Sequence, residues 1–265
     1  MISKTRLKFL RSLRRKKVRA QEGLLLIEGF NTIEEALRVP GAVREILLSQ
    51  AAAATPRGRA VVRAAGNAPV ALLDPAEVAP LQETENSAGV FALVANPCRV
   101  FREHPLAAAT GTVLLLVAAE VRDPGNLGSL IRSAAALGAD GVVVFPGSVE
   151  PTNPKVVRAS AGALFRIPVL AGNDEELARR GFEIWVADAR GAPFPGIPVR
   201  PEKLALVVGN EPRGVEAGIL ERSSRAVAVS MRGGMDSLNV AVAAGILLHG
   251  LRDLPIASTG TGTAC

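Results

Sequence analysis

Apolar and polar positions along this chain switch repeatedly between a two-residue and a 3.6-residue period, which predicts strands and helices in alternation. Lys4–Arg19 (KTRLKFLRSLRRKKVR) places Leu7, Leu10 and Leu13 at helical spacing among charges, with Phe9 and Val18 nearby. The pattern predicts one amphipathic helix with a narrow apolar stripe and a basic face. Leu24–Glu28 follows as a short strand and 29–39 as a helix, with Asn31 or Thr32 as N-cap and Pro40-Gly41 beyond its end. Val43–Ser49, Val70–Leu73 and Gly89–Ala95 read as strands, separated by helices over Pro56–Ala65 and Pro75–Leu81. This βαβαβαβ order predicts a small α/β/α layer over residues 1–96. Residues 97–109, with Pro97, His104 and Pro105 and no sustained period, read as a linker.

The alternation then restarts over 110–255. Gly111–Ala119 is a buried strand and Asp123-Pro124-Gly125-Asn126 a turn. Leu127, Leu130, Ile131, Ala134 and Leu137 give the next helix its apolar face, so Asn126 sits where a strand ends and a helix begins. Strands are expected at Gly141–Phe145, Phe165–Leu170, Ile184–Ala187, Leu204–Val208 and Val227–Ser230. Helices are expected from Thr152, with Pro154 in the first turn, over Asp174–Arg180, and over Ser237–Leu251. Gly191–Arg200 reads as a Pro/Gly-rich loop and 256–265 as a flexible tail. The fold class is α/β, in two domains.

Composition narrows the class. Of the 265 residues 48% are hydrophobic, ample for a core, yet no apolar run approaches the ~20 residues of a membrane span. The charged N-terminus has no apolar h-region behind it, so a cytoplasmic protein is expected. Cys98 and Cys265 are far apart, and the histidines are His104 and His249 alone, so neither a metal centre nor a disulfide framework is expected. The net charge of +6 is asymmetric: residues 1–100 carry 15 Lys/Arg against 9 Asp/Glu, and the remainder 16 of each. Nine of the basic residues lie in Lys4–Arg19 without an acid. That run is either an electrostatic footprint for RNA or DNA or a solvated basic face. With no Tyr and 3% aromatics, phosphate contacts suit the chain better than base stacking. Trp185, Phe9 and Phe30 read as packing residues.

Three loops carry the candidate chemistry. Each follows an apolar strand, contains glycine and ends in polar residues: Asn126 with Arg132, then Gly209–Gly214 around Glu211, then Ser230–Asn239 with Gly233-Gly234 before Ser237 and Asn239. At the carboxyl edge of an open α/β sheet, such loops are where ligands bind. GNLGS is not the GxGxxG of a dinucleotide fold, and neither GxxxxGK[ST] nor GxSxG occurs.

In order and spacing NLGSLIRSA (126–134), VVGNEPRG (207–214) and VSMRGGMDSLNVAVA (229–243) resemble the three motifs of the SpoU (TrmH-type) RNA ribose methyltransferases of the SPOUT superfamily. KVVRASAGALFRIPV (155–169) also looks like this family, and RRKKVRAQEGLLLIEG (14–29) is similar to its ribosomal-protein-L30e-like RNA-binding domain. The resemblance implies 2′-O-methylation of a ribose in structured RNA with S-adenosylmethionine, with 23S ribosomal RNA preferred and tRNA second. An idle RNA-binding descendant of the same fold is the reading from another class. A parallel-sheet domain with a C-terminal trefoil knot and a homodimer with interfacial active sites are implied as well. The implied catalytic group is Asn126, Arg132, Glu211, Ser237 and Asn239. The cofactor pocket would lie around Val208, Gly209, Val229, Met231 and Leu238, and RNA contacts at Arg11, Arg14, Arg15, Lys16, Lys17 and Arg158. Lys155 and Arg158 either extend that surface or cap their helix. A guanidinium stays protonated in ordinary surroundings, so Arg132 is better suited to clamping a phosphate than to acting as a base, although either role is open.

Overall fold

The computed structural model describes residues 2–83, 86–210, 213–231 and 237–257. In chain order the elements are α1 (Lys4–Ser12), α2 (Lys16–Glu22), β1 (Leu24–Glu28), α3 (Phe30–Leu37), β2 (Val43–Ser49), α4 (Gln50–Ala54), α5 (Pro56–Ala64), β3 (Val70–Leu73), α6 (Pro75–Val78) and β4 (Val90–Ala95). They continue with β5 (Arg99–Val100), β6 (Val113–Ala118), α7 (Pro124–Leu137), β7 (Gly141–Val144), α8 (Pro154–Ala159), β8 (Val169–Ala171), α9 (Asp174–Arg179), β9 (Glu183–Phe194), β10 (Lys203–Val208), α10 (Ala217–Arg222), β11 (Arg225–Val229) and α11 (Val240–Arg252). Two compact units result: residues 1–98 with 150–168, and residues 99–149 with 169 onward.

The first unit is a four-stranded mixed sheet in the order β1-β4-β2-β3, with β4 antiparallel to both neighbours and β2 parallel to β3. Leu10 and Leu13 are buried against Leu47, Phe91 and Leu93, so the apolar stripe expected near the N-terminus packs as the spacing required. The expected single helix over 4–19 is instead two, broken at 13–15. The cause is Arg19. Its side chain is only 4% exposed and pairs with Glu150 at 2.8 Å. Its Nη1 also donates to the carbonyls of Leu13 (2.9 Å) and Arg14 (2.6 Å). Those carbonyls would be orphaned by the break, and the buried guanidinium satisfies them. The unit also holds α4, which the pattern did not suggest, and α8, whose Pro154 takes the first turn behind the Asn153 cap.

The second unit is a seven-stranded, wholly parallel sheet in the order β11-β9-β10-β6-β7-β8-β5. The strands of its centre are uninterrupted apolar runs, as burial on both faces demands: all six residues of β6 are buried. Residues 97–109, expected as a linker, contribute the edge strand β5, and Phe101 is fully buried in the core with its ring against Phe182. The strand expected at 165–170 is a 3-10 turn (Ala163–Phe165) followed by the shorter β8. β9 extends through residues expected to be loop. Ile256, in the expected tail, pairs with Arg200, while 258–265 lie outside the described residues.

α7 shows why the site is well placed. The Asn126 N–H donates to the Asp123 cap at 2.8 Å, Pro124 opens the first turn, and Gly138 closes the helix in the left-handed region at φ 81°. Leu127, Leu130 and Ile131 are fully buried beneath it, each contributing about 1.5–3 kcal/mol. Strand order reverses between β6, whose chain continues to β7, and β10 on its other side. That reversal opens a crevice at their carboxyl ends.

Candidate active site at the carboxyl edge of the parallel sheet

Four adjacent parallel strands, β11, β9, β10 and β6, deliver their ends to one edge. Their loops form two clefts. The larger, of about 310 Å³, is walled by Val208, Val229, Met231 and Leu238, with Gly209 and Ser237 also lining it. It therefore gathers all five residues implied for the cofactor and one implied for catalysis. The smaller, of about 200 Å³, is formed by 121–123 and Asn126 and shares Gly209, Asn210 and Val240 with its neighbour.

The turn after β10 explains its glycines. Asn210 and Gly214 exchange main-chain bonds, 3.0 Å from the Asn210 N–H and 2.8 Å from the Gly214 N–H. A Cβ on Gly209 would stand 2.3 Å from the Gly214 oxygen, so this position excludes every side chain. Gly214 itself lies at φ 70°, which costs glycine nothing. The Asn210 side chain donates to the Glu120 carbonyl at 3.2 Å, tying the loop after β10 to the loop after β6. Glu211 lies outside the described residues.

Asn239 joins the other two loops. Its Oδ1 accepts from the N–H groups of Ala241 (3.0 Å) and Val242 (3.3 Å), capping α11. With the oxygen so committed, its Nδ2 faces outward and donates to Asn126 Oδ1 at 2.9 Å. One asparagine therefore starts a helix and orients a second asparagine on another.

Arg132 is not part of this group in the single chain. Six residues beyond Asn126, it points about 120° around α7 and about 9 Å further along. Its side chain is exposed, without a hydrogen bond or ion pair among the described residues.

Asp188 and Arg190, on the wall of the larger cleft, escaped the sequence reading. Arg190 holds the Asp188 carboxyl below the usual carboxylate range, first through its side chain and then through its main-chain N–H. The available signal was an aspartate just past the apolar run IWVA, at the same edge as the other loops.

The SpoU rRNA methylase family matches residues 113–249, which hold both clefts. The chain belongs to this family. The 23S rRNA (guanosine(2553)-2′-O)-methyltransferase RlmP of Bacillus subtilis is 37% identical over 247 residues, covering 91% of this chain and 94% of that protein. The 23S rRNA (adenosine(1067)-2′-O)-methyltransferase of Streptomyces azureus is 32% identical over 69% of each chain. Among solved structures, the SpoU methyltransferase AviRb of Streptomyces viridochromogenes, in complex with AdoMet, superposes with a TM-score of 0.80 at 26% identity, over 94% of this chain and 97% of that one. The AdoMet-bound rRNA methyltransferase of Sinorhizobium meliloti gives 0.81 at 25%, over 95% and 96%.

In this SpoU methylase the first unit carries the partner fold: residues 4–92 match the MRM3-like substrate binding domain. Arg11, Arg15, Lys16 and Lys17 are exposed on or between α1 and α2. Arg14 is also exposed, but its Nη2 donates to the carbonyls of Leu81 (3.0 Å) and Gln82 (2.8 Å), so it braces the following segment. Arg158 pairs with Glu83 at 3.2 Å, and Lys155 is exposed. Trp185 is buried, as expected of a packing residue, beneath the Arg225 guanidinium.

Proposed function

We propose that this protein methylates a ribose 2′-hydroxyl of structured RNA, with S-adenosylmethionine as donor and 23S ribosomal RNA as the substrate class. The observation that carries the reading is the pair of clefts with a common wall at Gly209, Asn210 and Val240. The larger has the volume at which small-molecule sites begin; the smaller holds Asn126, with Arg122 and Asp123 beside it. When bound, S-adenosylmethionine supplies an electrophilic methyl on its sulfonium. Val208, Gly209, Val229, Met231 and Leu238 are the residues that would hold it. A ribose hydroxyl is a poor nucleophile and must be oriented and relieved of its proton. Asn126, held by Asn239, and Ser237 on the neighbouring wall offer neutral donors and acceptors for that orientation, and Glu211 completes the catalytic group that the family motifs imply.

Arg132 completes the site from a second copy. It points away from its own Asn126, and α11, packed on α7, leaves Val242 51% and Ile246 42% exposed. Apolar side chains on a helix that already covers a sheet suit a subunit interface. At such an interface Arg132 would clamp the phosphate beside the target ribose. Residues 1–96 act as the RNA-binding module and 110–255 as the methyltransferase domain, with the knot at the carboxyl end. Among the described residues no helix is long and apolar enough to cross a membrane, and our reading of the enzyme is a cytoplasmic one, which suits a ribosomal RNA substrate.

Tritium transfer from labelled S-adenosylmethionine to total ribosomal RNA and to total tRNA, both from a strain lacking the gene, tests the reading. Label in ribosomal RNA at one nucleotide resistant to alkaline cleavage is the expected result. Label in tRNA alone would replace the substrate class, and label on a base would refute ribose chemistry.

A further inference from the structure

The larger cleft has one feature that its apolar walls and glycine turn do not account for. β9 pairs with β10 through Val186, then leaves the ladder and resumes pairing with β11 at Ala192. The return is tight: a Cβ on Gly191 would stand 2.5 Å from the Ala226 carbonyl carbon. The excursion turns Asp188 into the cleft wall, where it is the only acid among the described lining residues.

Its carboxylate is held firmly but incompletely. Oδ1 accepts the Arg190 main-chain N–H at 2.8 Å and Nε at 3.1 Å; Oδ2 accepts Nη2 at 3.0 Å. A carboxylate offers about four acceptor sites, so Oδ2 keeps capacity for another donor. The Asp188 side chain is 16% exposed whereas that of Arg190 is 85% exposed, so the acid is the buried half of the pair. Burying an anion in a cleft wall with unused acceptor capacity costs free energy unless a ligand fills it.

We infer that Asp188 is the cofactor-positioning acceptor of this enzyme, taking a hydroxyl hydrogen of the adenosine ribose on Oδ2, with Arg190 fixing its orientation. This inference rests on the methyltransferase reading above. The cofactor's donors are an exocyclic amine, an ammonium and a vicinal diol. Arg190 discriminates among them: its charge cancels that of Asp188, so a cationic ammonium or sulfonium gains little there. A neutral diol loses nothing to the guanidinium and can turn one O–H group to the acceptor site left on Oδ2. Asp188 therefore reads a part of the molecule that the methylated and demethylated forms share.

The test is calorimetric titration of the full-length protein with S-adenosylmethionine, with S-adenosylhomocysteine, and with the 2′-deoxy and 3′-deoxy analogues of the latter. Asp188→Asn is expected to weaken the first two ligands equally, by roughly 10–100-fold, the range for a charge-assisted hydrogen bond. At least one deoxy analogue should bind wild type more weakly yet lose little further affinity in the variant. A merely structural role would not produce that non-additivity. Arg190→Ala, at an exposed position, removes the cancelling charge and should shift preference toward S-adenosylmethionine over its product several-fold. The inference is overturned if Asp188→Asn binds S-adenosylhomocysteine as wild type does, if its loss is confined to S-adenosylmethionine, or if deoxy and variant losses add in full. Each of those results leaves the reaction class standing, whereas wild type that binds neither ligand would sink both.

Discussion

Replacing Asn239 by aspartate and by alanine separates two roles of its side chain. Oδ1 caps α11 through Ala241 and Val242, and Nδ2 donates to Asn126. Alanine removes both. The cap contributes about 1 kcal/mol and the Asn126 bond about 1 kcal/mol, so Asn239→Ala should lose about 2 kcal/mol, or roughly 4–8 °C in Tm for a chain of this size. Aspartate keeps an oxygen for the cap and adds a charge favourable at a helix N-terminus by about 0.3–1 kcal/mol. It also places an acceptor against Asn126 Oδ1, which must then turn away. Asn239→Asp should therefore hold wild-type stability within about 1 kcal/mol while methylation falls by at least about 100-fold, the cost of a small misplacement at a reacting centre. Urea denaturation and single-turnover tritium transfer to ribosomal RNA measure the two effects on the same samples. Wild-type turnover in Asn239→Asp, or unchanged stability in Asn239→Ala, would refute the division of labour between the two atoms.

Arg132→Ala should abolish methyl transfer while leaving S-adenosylhomocysteine affinity within twofold, since the side chain is exposed and lines neither cleft; near-normal turnover would remove it from the site. Mixing Arg132→Ala with Asn126→Ala should restore activity in mixed dimers if the two residues act across subunits. Arg19→Met takes the guanidinium from the Glu150 carboxylate, to which Thr152 still donates, and leaves the Leu13 and Arg14 carbonyls unpaired; it should cost about 3–5 kcal/mol by urea denaturation. Lys16→Gln with Lys17→Gln should leave stability unchanged and flatten the salt dependence of RNA affinity, by about 0.7–0.9 in the log–log slope for each phosphate no longer neutralised; an unaltered salt slope would take these lysines off the RNA surface.

The contrast between Arg19 and Lys16 marks where a linear chain stops being legible. All nine cations of 4–19 look alike as a string, and each is an equal candidate for RNA. Arg19 is buried because Glu150, 131 residues away, arrives beside it, and the same pairing breaks the helix expected to run through 13–15. In the same way, residues 97–109 lack periodicity because short segments of strand and 3-10 turn carry little of it. Phe101 joins the core only through packing supplied by later strands. The strand of β9 reads as ending at Ala187 because Gly191 and Pro193 resemble loop chemistry; the tight return onto β11 is what makes them strand. Asp188 and Arg190 fall in that stretch, which is why a linear reading passes over them.

Short-range features are legible in the chain itself. β6, β7 and β10 are apolar runs whose burial on both faces leaves no other use for them, and Asp123, Pro124 and Gly138 bound α7 by short-range capping rules. The three motifs and their order identify the family, and with it a parallel α/β sheet. The sequence by itself therefore determined the elements, the loop chemistry at their ends and the kind of reaction, because those depend on neighbours within a few residues. Only the tertiary structure decided which loops meet. β10 lies between β9 and β6, so the turn at Gly209 becomes the common wall of two clefts. The Asn239 cap reaches Asn126 across 113 positions of chain, and the helical period of α7 turns Arg132 away from both. Strand order and helix rotation are set by burial summed over the whole sheet, a quantity no short window of sequence contains.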